Sequence, residues 1–144
     1  MASLREALDQ IGDGVDPARL LDLLVSESDM FLSLRDHSGR FVYANRSIEG
    51  PLLPPRSDAI GKHHLPGRRF FDESGRELAI LDHPAQVARI TGIAQRNVRF
   101  TVRLESGEQR CVQMSYIPIE QRDDGWSVLC VGCDVTELRA SAAA

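Results

Sequence analysis

The alternation of apolar and polar residues is most regular between Asn97 and Glu137, where it predicts three consecutive antiparallel strands. Apolar and polar side chains alternate without interruption over 97–104, which indicates a strand with one buried and one solvated face. A glycine-containing turn leads to a second strand over 109–119, and another turn leads to a third over 126–133. The residues from 134 to 138 then predict the start of a helix.

The remainder of the chain predicts helices around two further strands. An apolar helical stripe over 3–11 and the pair Asp16-Pro17 predict two N-terminal helices. Strands are predicted at 30–36 and 40–44, 45–81 has little regular pattern, and Asp82 is expected to cap a helix ending at Thr91-Gly92. This order predicts an α+β fold, in which an antiparallel five-stranded sheet carries helices on one face.

Composition limits the classes of function. A chain of 144 residues with 42% hydrophobic content predicts one domain with a substantial core. The net charge is −4 and the basic residues are scattered along the sequence, which argues against a nucleic-acid partner. No apolar run approaches the roughly 18 residues of a membrane span, and no signal-peptide pattern is present, so we expect a cytoplasmic protein with reduced thiols and no membrane partner.

Several short motifs, in this order and spacing, resemble the PAS family of sensor domains over residues 29–138. The resemblance implies a five-stranded antiparallel sheet of order 2-1-5-4-3 that cups a small pocket against short helices. It implies an N-terminal helical cap or dimerisation segment over 1–28 and a tail over 139–144. The sequence departs from the family over 51–56. The motifs are Asp36-x-x-Gly-Arg40, Tyr43-Ala-Asn45, Ile60-Gly61-Lys62, Thr91-Gly92, Ser106-Gly107, Ser115-x-x-Pro118 and Asp134-Val-Thr-Glu137.

The resemblance also implies which strand residues face the pocket. Strand parity with Phe31 and Ser33 directs Arg35 to the same side, where an arginine recognises a carboxylate or phosphate with two hydrogen bonds. Ser33 and Tyr116 are its expected co-ligands; alternatively, Arg35 reaches solvent or pairs with Asp36. Asn45 is expected to cap a following helix. The other predicted ligand-binding positions are Val98, Phe100, Val102, Val112, Met114, Val128, Cys130 and Gly132.

The same positions argue against the common PAS cofactors. Flavin-binding relatives carry amide side chains where this chain has Val102, Val112 and Gly132, and their reactive cysteine falls near His64 here. A flavin would leave its polar edge unpaired at about 1–3 kcal/mol per group. Haem-binding relatives use a histidine on the helix that carries His83, but a polar residue in the first turn of a helix is ordinary. We therefore predict no cofactor, and no metal at the adjacent loop histidines His63 and His64.

The three cysteines do not predict a metal or redox pair from spacing alone. Cys130 and Cys133 lie three residues apart on a strand and should face opposite sides of the sheet. If Tyr116 pairs with Val128, Cys111 lies opposite Cys133 on the outer face. That register predicts neighbouring thiols, which are either two inert buried groups or a redox switch.

The outer face of the sheet predicts a homodimer. Ile117, Leu129, Val131 and Cys133 form an apolar patch that needs a cover, which either the N-terminal stripe or a second subunit supplies.

The sequence therefore predicts a PAS sensory or regulatory module that binds a small apolar or weakly acidic ligand. It would signal through its C-terminal helix and dimerisation to an output domain such as a histidine kinase or a cyclic-dinucleotide enzyme. The main competing interpretation is a ligand-free dimerisation module whose cup is filled by Phe100, Met114 and Tyr116. A haem-binding sensor and a small isomerase-like enzyme are less favoured. Catalysis would require a carboxylate beside a histidine or tyrosine, which the predicted pocket strands lack, so we do not expect an enzyme.

Overall fold

A computed structural model describes residues 3–13, 15–45, 61, 67–123 and 125–138. Its first two helices are α1, Leu4–Ile11, and α2, Pro17–Glu27. Ser3 and Glu6 form a capping box at the start of α1, and the Asp16 side chain accepts a hydrogen bond from the Arg19 amide at the start of α2. Both helices begin where the capping residues predict. The expectations for 46–60, for the loop histidines and for the tail fall outside the described residues.

Six antiparallel strands form one sheet of order β2-β1-β6-β5-β4-β3. The predicted antiparallel sheet has one strand more than the expected five, because three residues that pair with β4 at the edge form an additional strand. A 3-10 turn, Ile80–Asp82, precedes α3, Pro84–Thr91, which packs against β4, β5 and β6. The strands are β1 Phe31–Arg35, β2 Phe41–Ala44, β3 Arg69–Phe71, β4 Gln95–Arg103, β5 Gln109–Arg122 and β6 Gly125–Asp134.

One turn sequence occurs twice and ends the two strands that precede it. Asp36-His-Ser-Gly-Arg40 follows β1, and Asp72-Glu-Ser-Gly-Arg76 follows β3. In both turns the aspartate Oδ1 accepts hydrogen bonds from the serine amide, the serine hydroxyl and the arginine amide. The repeated Asp-x-Ser-Gly-Arg sequence is thus a local signal for β3, a strand that the alternation pattern did not predict.

Asn45 joins the end of β2 to the start of β1. It is almost fully buried, its Oδ1 accepts a hydrogen bond from the Leu32 amide, and its Nδ2 donates to the Met30 carbonyl. Its own amide donates to the Leu32 carbonyl. These bonds extend the β1–β2 ladder by one position. The helix that Asn45 is expected to cap lies outside the described residues.

The predicted register between the two longest strands is wrong by two residues. Tyr116 pairs with Cys130, and Cys133 pairs with Gln113, so Cys111 is not opposite Cys133. Arg122 pairs with Gly125, which closes the hairpin around two residues, and the pairing shifts again between Pro118 and Glu120. A turn shorter than expected and this bulge together move the whole pairing.

The N-terminal cap of α3 is His83, and Asp82 ends the preceding 3-10 turn. The His83 Nδ1 accepts a hydrogen bond from the Ala85 amide at 3.1 Å, which corrects the expected capping role of Asp82. At the other end, Gly92 has a left-handed conformation with φ 71°, as the predicted Thr91-Gly92 stop implies.

The core lies between α3 and the concave inner face of the sheet. Its buried members alternate along the strands, so one face of each strand is apolar and inward. The cluster contains Phe31, Phe41, Ala44, Ala85, Ala88, Phe100, Val102, Val112, Met114, Tyr116, Val128 and Cys130.

Gly132 provides a test of this packing. A Cβ at Gly132 would overlap the Gln113 carbonyl oxygen and the Met114 side chain. The backbone of Gly132 is not in the left-handed region, so close packing is the reason for a glycine at this position. We expect Gly132→Ala to lower the free energy of unfolding by about 1–3 kcal/mol, measured by urea denaturation. The control is Gly107→Ala, which has φ 89° and open space around its Cβ position. A smaller loss at Gly132 than at Gly107 would contradict the tight approach of β5 and β6.

Candidate functional site: a polar cluster in the cup

Three polar side chains lie in one row across the inner face of the sheet. Ser33 on β1 pairs with Cys130 on β6, and Cys130 pairs with Tyr116 on β5. All three residues are almost fully buried. With Arg35 and His83, they form what we call the polar cluster. Its members come from four elements, so the cluster exists only in the assembled fold.

Arg35 lies two residues after Ser33 on β1, and its side chain is on the same side of the sheet, as strand parity predicts. Arg35 pairs with Val128 on β6, and its guanidinium carbon lies 4.1 Å from the centroid of the Phe41 ring. Phe41 is itself a core residue, so the stacked guanidinium faces the interior. The arginine therefore places a positive charge at one end of the row.

His83 covers the row from the helix side. Its ring makes edge-to-face contacts with three core aromatic rings, those of Phe70 at 4.8 Å, Phe100 at 5.5 Å and Tyr116 at 5.5 Å between centroids. Since Nδ1 accepts the Ala85 amide, the proton of the neutral ring is on Nε2. His83 thus links the start of α3 to the sheet.

Burial sets the protonation of the cluster. Burial, together with the smaller effect of the Arg35 charge, lowers the pKa of His83 to about 3. Burial raises the pKa of Cys130 and raises that of Tyr116 well above its ordinary value, while Arg35 opposes both shifts. The histidine, thiol and hydroxyl are therefore all neutral at pH 7, and Arg35 is the charged member of the cluster.

This arrangement is suited to binding more than to proton transfer. A histidine with a pKa of about 3 is a weak base at pH 7, and a tyrosine with a raised pKa is a weak acid. The buried polar residues within the described part of the chain are Ser33, Asn45, His83 and Gln86, so no buried carboxylate accompanies them there. The cluster instead offers hydrogen-bond donors and one positive charge in an apolar surrounding.

The two common PAS cofactors fit these residues poorly. Val102 and Val112 are completely buried in the core, and they provide no hydrogen bond to a flavin edge. His83 is enclosed by aromatic rings and already accepts the Ala85 amide, so its imidazole is not presented to a haem iron. Within the described residues no group of three potential metal ligands occurs.

The remaining predicted site residues lie on the inner face. Phe100, Met114 and Val128 are buried with Val102 and Val112, and Val98 packs against them while remaining partly exposed. Gly132 pairs with Met114 and leaves room for its side chain. The strand positions therefore come together as the resemblance implied, and their part in binding a ligand remains a prediction.

The sequence patterns did not indicate that Phe70, Gln86 and Arg89 contribute to this region. Phe70 on β3 contacts both His83 and Phe100. Buried Gln86 on α3 accepts a hydrogen bond from Arg89 Nε at 2.9 Å, and Arg89 Nη1 donates to the His37 carbonyl. The repeated turn motif was a signal for Phe70, whereas the apolar pattern of α3 gave no signal that Gln86 is buried.

Hydrogen bonds hold the end of β6 and the residues that follow it to β5. Asp134 accepts a hydrogen bond from Arg110 Nε through Oδ2 and from the Thr136 amide through Oδ1, both at 2.8 Å. The Cys111 amide donates to the Thr136 hydroxyl, and the buried Val135 donates its amide to the Cys111 carbonyl. Residues 136–138 are helical, so these hydrogen bonds set the direction in which the chain leaves the sheet.

Comparisons with known proteins agree with this architecture. A family model described as PAS fold matches residues 25–140. A search of the curated proteins gave no match.

Among solved structures, the PAS domain of a protein from Colwellia psychrerythraea is similar at a TM-score of 0.60 and 15% identity, covering 85% of this chain and 99% of that one. The PAS domain of an HTR-like protein from Haloarcula marismortui gives 0.54 and 15%, covering 90% and 96%. An RNA-binding light-oxygen-voltage receptor gives 0.55 and 15%, covering 89% of this chain and 38% of that one. At these identities the likeness shows the fold.

In the described part of the chain, no helix has the length and apolar character needed to cross a membrane.

The buried neutral His83 predicts a pH dependence of stability. The pKa of His83 is about 3 in the folded state and lies below its value in the unfolded state. As the pH falls, the imidazole of the unfolded chain therefore binds a proton before that of the folded chain does. The contribution of the neutral His83 to the free energy of unfolding is therefore present above pH 6.5 and decreases as the pH falls toward 3. At pH 5.5 the free energy of unfolding is lower by about 1.4 kcal/mol.

Urea denaturation at pH 7.5 and 5.5 measures this loss. We expect His83→Asn, which retains a capping side chain, to remove it, and His37→Asn to leave it unchanged. An unaltered pH dependence in His83→Asn would contradict the burial of a neutral imidazole.

Proposed function

The chain belongs to the PAS family, and on this premise we propose that it is a sensory module of signal transduction that binds a small, weakly acidic ligand in its cup. PAS domains are typically sensory and not catalytic modules. The observation that carries the proposal is the polar cluster, in which Arg35 is the charged group beside neutral hydrogen-bonding side chains. A carboxylate there would pair with the guanidinium and accept hydrogen bonds from Ser33 or Tyr116.

The signal would leave through the residues after β6. Asp134, Val135 and Thr136 hold the strand end to β5, and the helical residues 136–138 follow directly. Since β6 contains Cys130 of the polar cluster, a ligand that shifts β6 would also shift this exit. The output would be a partner domain such as a histidine kinase or a cyclic-dinucleotide enzyme. We propose that the module acts in the cytoplasm.

A ligand-free interaction module is the second candidate. It is favoured by the filling of the inner face, where Phe100, Met114 and Tyr116 are all almost fully buried by neighbouring side chains. In that case the polar cluster would serve packing and the module would act through association alone.

Small carboxylic acids and their uncharged amides distinguish these candidates. We expect some acids to raise the melting temperature of the protein, and Arg35→Met to weaken their binding by at least about tenfold, because hydrogen bonds to a charged group are lost. The matched control is Arg99→Met on the outer face. Acid binding that survives in Arg35→Met would contradict the proposed site, and an absence of any ligand in native mass spectrometry and in the panel would favour the second candidate.

We also propose that the module is a homodimer. The apolar residues Leu4, Ile11, Leu21 and Leu24 of α1 and α2 are all exposed in the single chain, and Leu8 alone is buried on α1. Short amphipathic helices with an uncovered apolar side gain stability when a partner covers that side.

Light scattering after size exclusion tests the dimer. We expect the native chain to have the mass of two copies at tens of micromolar, and Leu24→Glu to shift it toward one copy. Ile80→Glu is the control, because Ile80 is 58% exposed against 61% for Leu24 but lies beside α3. A native chain that remains a single copy would overturn the proposal.

A further inference from the structure

Two turns of the sheet meet the C-terminal end of α3. One is the β1–β2 turn, residues 36–40, and the other is the β5–β6 turn, which Arg122 and Gly125 close. His83 holds the start of α3 to the sheet, and contacts with these two turns hold its end. The helix is therefore held at two points, and the second point involves residues outside the polar cluster.

Arg89 is the residue of α3 that contacts both turns. Its Nε donates to Gln86 Oε1 at 2.9 Å, and its Nη1 donates to the His37 carbonyl at 3.4 Å. Gln86 is almost fully buried, so its side chain gives the guanidinium a fixed orientation. The bond to Gln86 has an ordinary length, whereas the bond to His37 is longer than is usual for N–H···O. A small movement of the β1–β2 turn toward the helix would therefore strengthen it.

Glycines allow both turns to approach Arg89. A Cβ at Gly39 would lie 3.2 Å from Arg89 Nε, and a Cβ at Gly125 would lie 3.1 Å from Arg89 Nη1 and 3.0 Å from the His37 carbonyl oxygen. Both glycines have a positive φ, 95° at Gly39 and 154° at Gly125, which other residues rarely adopt. The guanidinium of Arg89 is therefore in close contact with both turns at once.

The β5–β6 turn leads into Trp126, the single tryptophan of the chain. A Cβ at Gly92, the C-terminal cap of α3, would overlap the Trp126 indole, so the end of the helix lies directly against that ring. The Trp126 side chain is half-buried there. A change in the position of the helix end would change the surroundings of the indole, so the fluorescence of Trp126 reports that position.

The β1–β2 turn also connects directly to the polar cluster. Arg35 is the last residue of β1, and the turn begins at the next residue. The Asp36 amide donates to the Arg40 carbonyl at 2.9 Å, and the Gly39 amide donates to the Asp36 carbonyl at 3.0 Å. Asp36 Oδ1 accepts three further hydrogen bonds within the turn. Because these bonds make the turn a rigid unit, a displacement of Arg35 would carry the His37 carbonyl with it.

We infer that Arg89 is a positioning residue that transmits acid binding at Arg35 to the C-terminal end of α3. An acid that pairs with Arg35 shifts the end of β1, the rigid turn follows, and the bond from Arg89 to the His37 carbonyl tightens. The inference rests on the proposed binding of a weakly acidic ligand and adds to it the regulation of that site. Removal of the connection also weakens acid binding, because the coupling free energy between two sites is reciprocal.

Tryptophan fluorescence tests this connection in the full chain. The probes are butyrate, hexanoate, octanoate and cyclohexanecarboxylate, which do not absorb where the indole is excited, and hexanamide is the uncharged control. Isothermal titration calorimetry measures binding independently of the fluorescence. We expect the acid that binds most tightly to shift the Trp126 emission of the native chain and to protect the indole from quenching by acrylamide. Hexanamide should do neither.

The test variant is Arg89→Met, which keeps an aliphatic side chain and removes its hydrogen bonds. We expect it to bind the same acid at least about fivefold more weakly and, at saturating acid, to lose the Trp126 response. Arg89→Lys retains a donor that can reach the His37 carbonyl, so it should recover part of the response. The matched control is Arg122→Met at an exposed position of the β5–β6 turn, which should bind and respond as the native chain does.

The outcomes separate this inference from the proposed function. A full Trp126 response in Arg89→Met would overturn the inference, since the signal would then travel along β6 from Val128, which pairs with Arg35. If Arg89→Met does not fold, an undiminished response in Arg89→Lys would overturn it and a reduced response would support it. Acid binding to the native chain without any Trp126 response would overturn the inference and leave the proposed ligand site standing. Failure of every acid to bind the native chain would overturn both.

Discussion

The packing of α3 across the inner face of the sheet is the contact on which the rest of the structure depends. An eight-residue helix is too short to be stable alone, so its conformation depends on what it buries. Pro84, Ala85, Gln86 and Ala88 are buried on its inner side, and His83 at its start contacts the aromatic rings of the sheet. One residue therefore begins the helix and closes the polar cluster against water.

This closure determines the chemistry of the cluster. Because His83, Tyr116 and Cys130 are shielded from water, each remains neutral, and their polarity is available only as hydrogen bonds. The charge of Arg35 is felt at all three positions for the same reason. A ligand that enters beside Arg35 would have to rearrange contacts that also hold α3, which couples binding to the position of the helix.

The sequence predicted best what depends on nearest neighbours along the chain. Alternation assigned Phe100 and Val102 to one face, since side-chain direction in a strand has a period of two. The resemblance to PAS domains placed Met114 and Tyr116 on the same face. Parity also placed Ser33 and Arg35 correctly on the inner side. The register of β5 against β6 was wrong, because a two-residue turn and the bulge after Pro118 are properties of the pair of strands.

The parts of the site that were missed depend on small shifts or on distant partners. The apolar pattern of α3 does not identify its buried side, because Gln86 is buried whereas Ile90 is exposed. The opposition of Arg69 and Arg103 follows from the pairing of β3 with β4, which the alternation pattern does not predict. A strand of three residues has too little pattern of its own to be predicted, and only the repeated turn after it is informative.

Nuclear magnetic resonance with an isotopically labelled chain tests directly whether the cup binds a ligand. A carboxylic acid that stabilises the protein should shift the backbone amide signals of Ser33, Arg35, Tyr116 and Cys130, together with those at the start of α3. It should also give intermolecular nuclear Overhauser effects to the Tyr116 and Phe41 rings. Shifts confined to the outer face of the sheet, with the inner signals unchanged, would contradict the role of the cup as a ligand site.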